Sequence, residues 1–158
     1  MKGEEWLHYE LLKLEDIQLE KFYLKKAIEL TVSRAAVKLP LGSYAFIGKD
    51  EKGKEVVVTA ANLEEKGISL SSFKVGAKLA ILNPQLKLGV DLAVFLKVAD
   101  IKDLQFFKEG ENFEKNHKET VSKLTALEIK NIGNKEFAAK GYFASLNIYG
   151  AGIDKLNA

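Results

Sequence analysis

The spacing of apolar positions changes character along the chain. Between residues 21 and 107, apolar residues form short alternating segments separated by polar turns, which predicts strands. From Phe113 onwards they recur at intervals of three or four, which predicts helices. The charged connector at residues 108–112 predicts a boundary between a β-rich leader domain, residues 1–107, and a helical segment, residues 108–158.

The leader contains several segments with strand character. Residues 49–53 form a polar turn that joins two of them as a hairpin, and Asn83-Pro84 ends a third. The predicted strands are Phe22–Val32 (for which a helix is the alternative), Ser43–Gly48, Lys54–Thr59, Leu79–Ile81, Val90–Val98 and Leu104–Phe107. About five strands at this spacing predict a small antiparallel β-barrel-like (OB-like) sheet. With the helices that follow, the predicted fold class is α+β.

Two apolar stripes organise the helical segment. The first predicts one face of a helix and consists of Phe113, His117, Val121, Leu124 and Leu127. His117 lies on that apolar face, where a packing role is favoured over metal ligation. The second stripe follows the i, i+4, i+7, i+11 spacing of a helix and consists of Tyr142, Leu146, Tyr149 and Ile153.

The tail combines the second stripe with a spaced set of small and aromatic residues. The full set is Gly133, Asn134, Phe137, Tyr142, Leu146, Tyr149 and Ile153. With it, residues 126–158 resemble a tetratricopeptide repeat, a unit of two antiparallel helices. In such a repeat Gly133 would let the helices approach, and Phe137 and Tyr142 would fill the turn. The turn glycine, Gly141, comes one position later than the family places it.

Lys130 and Asn134 stand four residues apart, so they share one face of the first repeat helix. In tetratricopeptide domains that bind the C-terminal carboxylates of chaperone peptides, a lysine and an asparagine occupy these positions. The resemblance therefore implies that Lys130 and Asn134 bind a peptide carboxylate. Later repeats normally complete such a clamp, so a solvent-facing Lys130 and a structural Asn134 are the alternative.

Four short motifs in the leader follow one another in a recognisable order. They are Asp50–Gly53 before a strand ending at Asn62, Phe73–Gly76, Leu79–Lys87 and Leu96–Leu104. In order and spacing they resemble the region before the tetratricopeptide repeats of certain fungal and protist proteins that carry a SET-type lysine methyltransferase domain. The sequence contains no SET domain, so the resemblance transfers no methyltransferase activity to these residues.

Composition narrows the class of partner. Lys+Arg 24 against Asp+Glu 22 leave a net charge of +2, and Arg34 is the only arginine, which argues against a dedicated nucleic-acid binder. No apolar run reaches the roughly 20 residues of a membrane span, and Met1–Glu5 is not a signal peptide. The absence of cysteine excludes disulfides and fits a reducing compartment. We therefore expect a cytoplasmic or nuclear protein with no membrane partner.

No group of residues predicts catalysis, a cofactor or a metal site. His8 and His117 are far apart in sequence, and Ser43 and the serines at 69–72 have no recognisable base partner. The remaining acidic candidates are interpreted as solvated carboxylates; they are Glu64, Glu65 and the pair Glu109 and Glu111.

Two classes of function remain open at this point, and the oligomeric state is open too. The leading hypothesis is a non-catalytic protein–protein interaction module whose helical hairpin binds a partner protein or peptide. The alternative is an OB-like nucleic-acid-binding barrel in which Tyr44, Phe46 or Phe95 stacks on bases, although these aromatics also suit a core. A third hypothesis is the accessory front part of a SET-type methyltransferase.

Overall fold

The computed structural model describes residues 3–61 and 67–157, which divide into two compact units. The barrel unit lies within residues 11–110. The helical unit combines residues 3–10 with residues 111–157.

The predicted leader differs from the barrel unit at its beginning, because residues 3–10 group with the helices. The predicted strand end at Asn62 and the predicted solvated carboxylates Glu64 and Glu65 lie outside the described residues. Among the described residues, no helix is long and apolar enough to cross a membrane.

Within the described part of the chain, eight strands form one sheet. They are β1 (Glu10–Leu11), β2 (Lys26–Lys38), β3 (Ser43–Lys49), β4 (Glu55–Ala61), β5 (Lys78–Leu82), β6 (Leu86–Leu88), β7 (Val94–Val98) and β8 (Leu104–Phe106). Neighbours follow the order β6-β7-β4-β3-β2-β5-β8, and β1 pairs with β2. β4 and β7 are parallel, whereas the other pairs along this path are antiparallel. The sheet is therefore mixed and not purely antiparallel as predicted.

The sheet closes on itself because β5 and β6 act as one bent segment. β5 pairs with β2, and β6, which begins three residues further on, pairs with β7. Across the bend, the Lys97 N–H donates to the Gln85 carbonyl at 3.0 Å. β2, β3, β4, β7 and the β5–β6 segment thus form a ring, which is the five-stranded arrangement of an OB barrel.

Alternating side chains fill the interior of the ring. On β3 and β4 the buried positions are Tyr44, Phe46, Gly48, Val56, Val58 and Ala60. Phe73 comes from a short 3-10 helix before β5 and is fully buried, with its ring centroid 5.0 Å from those of Phe46 and Phe106. Because strand side chains alternate, the remaining positions of β3 and β4 face away from this core.

The predicted hairpin Ser43–Gly48 and Lys54–Thr59 is confirmed by β3 and β4, which pair along their whole length. The predicted strand Val90–Val98 is wrong in its first half, since β7 begins only at Val94. Residues 89–93 form a turn closed by a 2.7 Å hydrogen bond from the Gly89 N–H to the Ala93 carbonyl. Leu92 has φ +65°, a left-handed conformation that interrupts the extended backbone.

The helical unit contains α1 (Phe113–Ser122), α2 (Ala126–Ala138) and α3 (Tyr142–Leu156), together with a 3-10 helix at Gly3–His8. Thr125 and Glu128 form a capping box at the start of α2, with both hydrogen bonds at 3.1 Å. The predicted continuous face from Phe113 to Leu127 is therefore divided between two helices.

The tetratricopeptide part of the predicted fold is wrong. Its expected stripe is largely at the surface, since Tyr142, Leu146 and Ile153 are 51%, 67% and 58% exposed. The buried face of α3 consists of Ala144, Ser145, Ile148, Ala151 and Gly152. The chain's own beginning packs on this helix, and the Asn147 amide donates to the His8 carbonyl at 2.9 Å. The arrangement is a small helical cluster and not a repeat-type hairpin.

Candidate functional site

The outer surface of the barrel carries a row of facing residues, which we call the outer row. It consists of Arg34 on β2, Ile47 on β3, Val57 on β4, Phe95 on β7 and Lys87 on β6. Each residue opposes the next in the sheet register, so the five side chains share one face. Ile47 and Phe95 are partly exposed, and Val57 is 39% exposed. The row is therefore an accessible, mostly apolar strip with a cation at each end.

A second row lies beside the outer row. It consists of Val37, Ala45, Thr59 and Lys97. Lys97 and Arg34 are exposed, and neither has a side-chain partner within the described residues. Lys87 differs, because its ammonium pairs with Glu20 at 3.0 Å. The surface thus offers one aromatic ring and two unpaired cations within a few strand spacings.

The turn between β6 and β7 borders Phe95. Val90 and Leu92 at its tip are almost fully exposed. The Asp91 carboxylate accepts a 3.1 Å hydrogen bond from the Ala93 N–H. A Cβ at Gly89 would lie 2.8 Å from Asp91 Oδ1 and 3.8 Å from the Phe95 ring, so glycine leaves room for the carboxylate in this turn.

The three aromatics predicted as base-stacking candidates separate into two groups. Tyr44 and Phe46 are 2% and 3% exposed and belong to the core, so they are not available to a ligand. Phe95 lies on the outer face. Sequence reasoning missed Ile47 and Val57, although the alternation in the β3–β4 hairpin places them opposite to Tyr44 and Phe46.

The predicted peptide-binding pair lies on the exposed side of α2. Asn134 accepts a 2.6 Å hydrogen bond from the Tyr149 hydroxyl. The Tyr149 ring packs on Gly133, where an added Cβ would lie 2.5 Å from it. Asn134 therefore helps to hold α3 on α2, and Lys130 is exposed beside it. Peptide binding by Lys130 and Asn134 stays a prediction.

The other residues assigned to repeat packing behave differently from one another. The rings of Phe137 and Tyr142 meet edge to face with centroids 5.2 Å apart, yet both are more than half exposed. Leu146 and Ile153 project from α3 at the surface. The structure therefore brings two of the predicted pairs together but leaves the stripe without a buried role.

Two carboxyl and imidazole groups have shifted pKa values, and neither belongs to the outer row. Burial raises the pKa of Asp103 above its usual 3.8, although the Asn83 amide donates to this carboxylate at 3.0 Å. Burial lowers the pKa of His117 below 6.5, where its ring stacks on Phe113. The arrangement at the outer row is suited to binding.

Comparison with known proteins defines the fold. No protein-family model and no curated protein matches the chain. Schizosaccharomyces pombe Pot1pC bound to single-stranded DNA is similar with a TM-score of 0.51 and 6% identity, over 70% of this chain and 96% of that one. Fission yeast Pot1 with single-stranded DNA gives a TM-score of 0.51 and 8% identity, over 70% and 44%. The S. pombe Stn1-Ten1 complex gives 0.42 and 14%, over 60% and 65%.

The likeness to the two Pot1 structures identifies the class of the barrel as an OB fold. It also overturns the expectation that nucleic acid is excluded as a partner, because that expectation rested on charge and arginine content alone. Proteins with this fold have been solved with single-stranded DNA. None of the structures named above is a tetratricopeptide or SET-domain protein.

Proposed function

We propose that the barrel unit binds single-stranded nucleic acid across the outer row. The strand would cross β3, β4 and β7, with Phe95 stacking on a base and Lys97 contacting a phosphate. The outward, partly exposed Phe95 ring carries the proposal, because aromatic faces on barrel surfaces are platforms for unpaired bases. The likeness to barrels solved with single-stranded DNA supports it.

The position of the row supports the same ligand. β3 and β4 are the second and third strands of the ring, and OB folds bind oligonucleotides over this part of the barrel. Neighbouring strands lie about 4.8 Å apart, so Ile47 and Phe95 are separated by about 10 Å. With about 3.4 Å between stacked bases, that distance accommodates about three nucleotides. Ile47 and Val57 would pack against bases or sugars between the two ends.

Charge sets the expected mode of binding. The two rows offer Arg34 and Lys97 as unpaired cations, in a chain of net charge +2. For single strands, the slope of log K against log salt is about −0.7 per neutralised phosphate, so two contacts give about −1.4. We therefore expect base stacking to supply most of the affinity, with a shallow dependence on salt.

The test is fluorescence anisotropy of the full chain with a labelled oligothymidine of about ten nucleotides, at low and moderate salt. Phe95→Ala should weaken binding by about 5- to 150-fold, because stacking of one base contributes about 1–3 kcal/mol. Phe143→Ala is the matched control, since Phe143 is an exposed phenylalanine of the helical unit, and it should bind like the wild type.

Two results would contradict the proposal. One is the absence of binding by the wild type at low salt. The other is equal binding by wild type and Phe95→Ala, with both variants folded as judged by circular dichroism. In the second case the oligonucleotide binds elsewhere, and a protein ligand becomes the better candidate for the apolar strip of Ile47 and Val57.

Membership in the SET-domain protein family stays a separate proposal. The four leader motifs support it, and nothing in the barrel chemistry depends on it. Translation of the coding sequence beyond Ala158 is the test. A SET domain there would support the accessory role, and an immediate stop codon would count against it.

A further inference from the structure

The phase of β2 places Arg34 where its sequence pattern does not. Ile28, Leu30 and Val32 alternate along the strand, and each is 1% exposed. Continued alternation would turn Arg34 toward the core. Arg34 is exposed instead, so the strand changes phase between Val32 and Arg34.

A bulge produces this change. Val32 opposes Gly48 and Arg34 opposes Ile47, so β2 advances by two residues while β3 advances by one. Ser33 is the extra residue. A slip of one residue transfers the following side chains to the opposite face of a sheet, and bulges often re-aim a side chain beside a site. A second irregularity precedes Val37, so Arg34 lies between two bulges.

Ser33 ties the first bulge to the strands that carry the outer row. Its hydroxyl oxygen lies 2.8 Å from Glu55 Oε2 and 3.1 Å from the Ile47 carbonyl, so its single proton can be donated to either. Glu55 begins β4 and Ile47 lies in β3. The backbone that presents Arg34 is therefore anchored to both neighbouring strands.

Arg34 and Phe95 lie three strand spacings apart, which is about 14 Å between their backbone positions. Stacked bases are about 3.4 Å apart, and the arginine side chain shortens the distance to be crossed. A strand with one base on Phe95 would bring a base about two to four positions away within reach of Arg34.

We infer that Arg34 reads the edge of a base, and that the preferred ligand carries a guanine about two to four nucleotides from the base on Phe95. The inference rests on the proposed function. Guanine follows from the guanidinium fork, which matches the O6 and N7 acceptors. A base is favoured over a phosphate because Arg34 is in line with Ile47 and Val57, where bases would lie. Among 24 basic residues, only Arg34 has this fork.

The test uses the full chain and oligothymidines of about ten nucleotides, in which a single dG is moved through every position. At the preferred position, dG should tighten binding by about 5- to 150-fold over thymidine alone. Replacing that dG by 7-deazaguanine removes the N7 acceptor and should abolish most of the gain. Arg34→Lys keeps the charge but loses the fork, so it should bind all members of the set equally.

Lys97→Ala is the matched control, because it should weaken every oligonucleotide by a similar factor and leave the guanine preference intact. A wild type that binds thymidine through Phe95 without any guanine preference would overturn the inference and leave the proposed function standing. Equal weakening of all oligonucleotides by Arg34→Lys would also overturn it, by assigning Arg34 to a phosphate. A chain that binds no oligonucleotide would remove the proposed function and this inference together.

Discussion

The barrel unit and the helical unit both expose apolar side chains, but the two surfaces differ in organisation. Ile47, Val57 and Phe95 are only partly exposed, and the sheet register fixes them in one row. Leu146 and Ile153 on α3 are more than half exposed and stand on a single helix. A sheet makes a flat, fixed platform from residues of several strands. For this reason we place the binding function on the barrel.

The difference also shows what periodicity does and does not establish. The spacing of α3 correctly indicates a helix with one large apolar stripe. The buried side, however, is the one with small residues, among them Ala144, Ser145 and Gly152. Small side chains let neighbouring segments approach closely, and an added Cβ at Gly152 would already lie 3.3 Å from Ile129. The period identifies faces, and the packing partners decide which face is covered.

The largest expected effect separates the two faces of α3. Ile148→Ala should destabilise the chain by about 2–5 kcal/mol, because Ile148 is fully buried and its truncation leaves a cavity. Leu146→Ala, two positions earlier, should change the free energy of unfolding by less than about 0.5 kcal/mol. Urea unfolding can follow Trp6, the single tryptophan, which packs on Phe113 in the same unit. A large cost for Leu146→Ala would restore the repeat-type packing face.

A smaller effect concerns two glycines of the helical unit. Gly133→Ala should destabilise by about 1–3 kcal/mol, because the new Cβ would collide with the Tyr149 ring at 2.5 Å. Gly150→Ala should stabilise by about 0.5–1 kcal/mol, since nothing lies near that position in α3 and alanine favours the helix. Thermal melts of both variants provide the measurement. Similar melting temperatures for the two would contradict the close approach of α2 and α3 at Gly133.

The smallest effect contrasts the two units by pH. The unfolded chain protonates His117 near pH 6.5 and the folded chain only at lower pH, so this contribution to stability is present above 6.5 and is lost on acidification. Asp103 acts oppositely, since its raised pKa means that stability is gained as the pH falls toward 3.8. Relative to wild type, His117→Gln should reduce the loss of stability on acidification, and Asp103→Asn should remove the opposing gain.

Urea midpoints between about pH 4 and pH 7 would measure both contributions. The two variants should depart from the wild-type pH profile in opposite directions. Departures of the same sign would show that at least one of the two burial-driven shifts is absent. Unchanged profiles in both variants would show that neither group contributes to the pH dependence of stability.

Local features of the fold could be predicted from the sequence. Strict alternation around the polar turn 49–53 defined the β3–β4 hairpin, and Asn83-Pro84 marked the end of β5. The capping pair Thr125 and Glu128 was readable as the start of a new helix, although the apolar spacing up to Leu127 concealed it. These signals involve residues that are close in sequence.

Features that depend on distant residues could not be predicted. The parallel pairing of β4 with β7 brings Val57 beside Phe95 and creates the outer row, yet neither strand indicates its partner by itself. The bulge at Ser33 reverses the phase of β2, so alternation alone assigns Arg34 to the wrong face. The candidate site was therefore only partly visible in sequence, through Phe95 among three aromatics.

The most direct test of the barrel as the binding unit is an NMR titration of the uniformly ¹⁵N-labelled chain with a single strand of about ten nucleotides. We predict amide shift changes on β3, β4 and β7 and in the turn 89–93, with the largest near Phe95. The signals of α2 and α3 should stay unchanged. Changes concentrated around Lys130 and Asn134, with β3, β4 and β7 unaffected, would contradict the account.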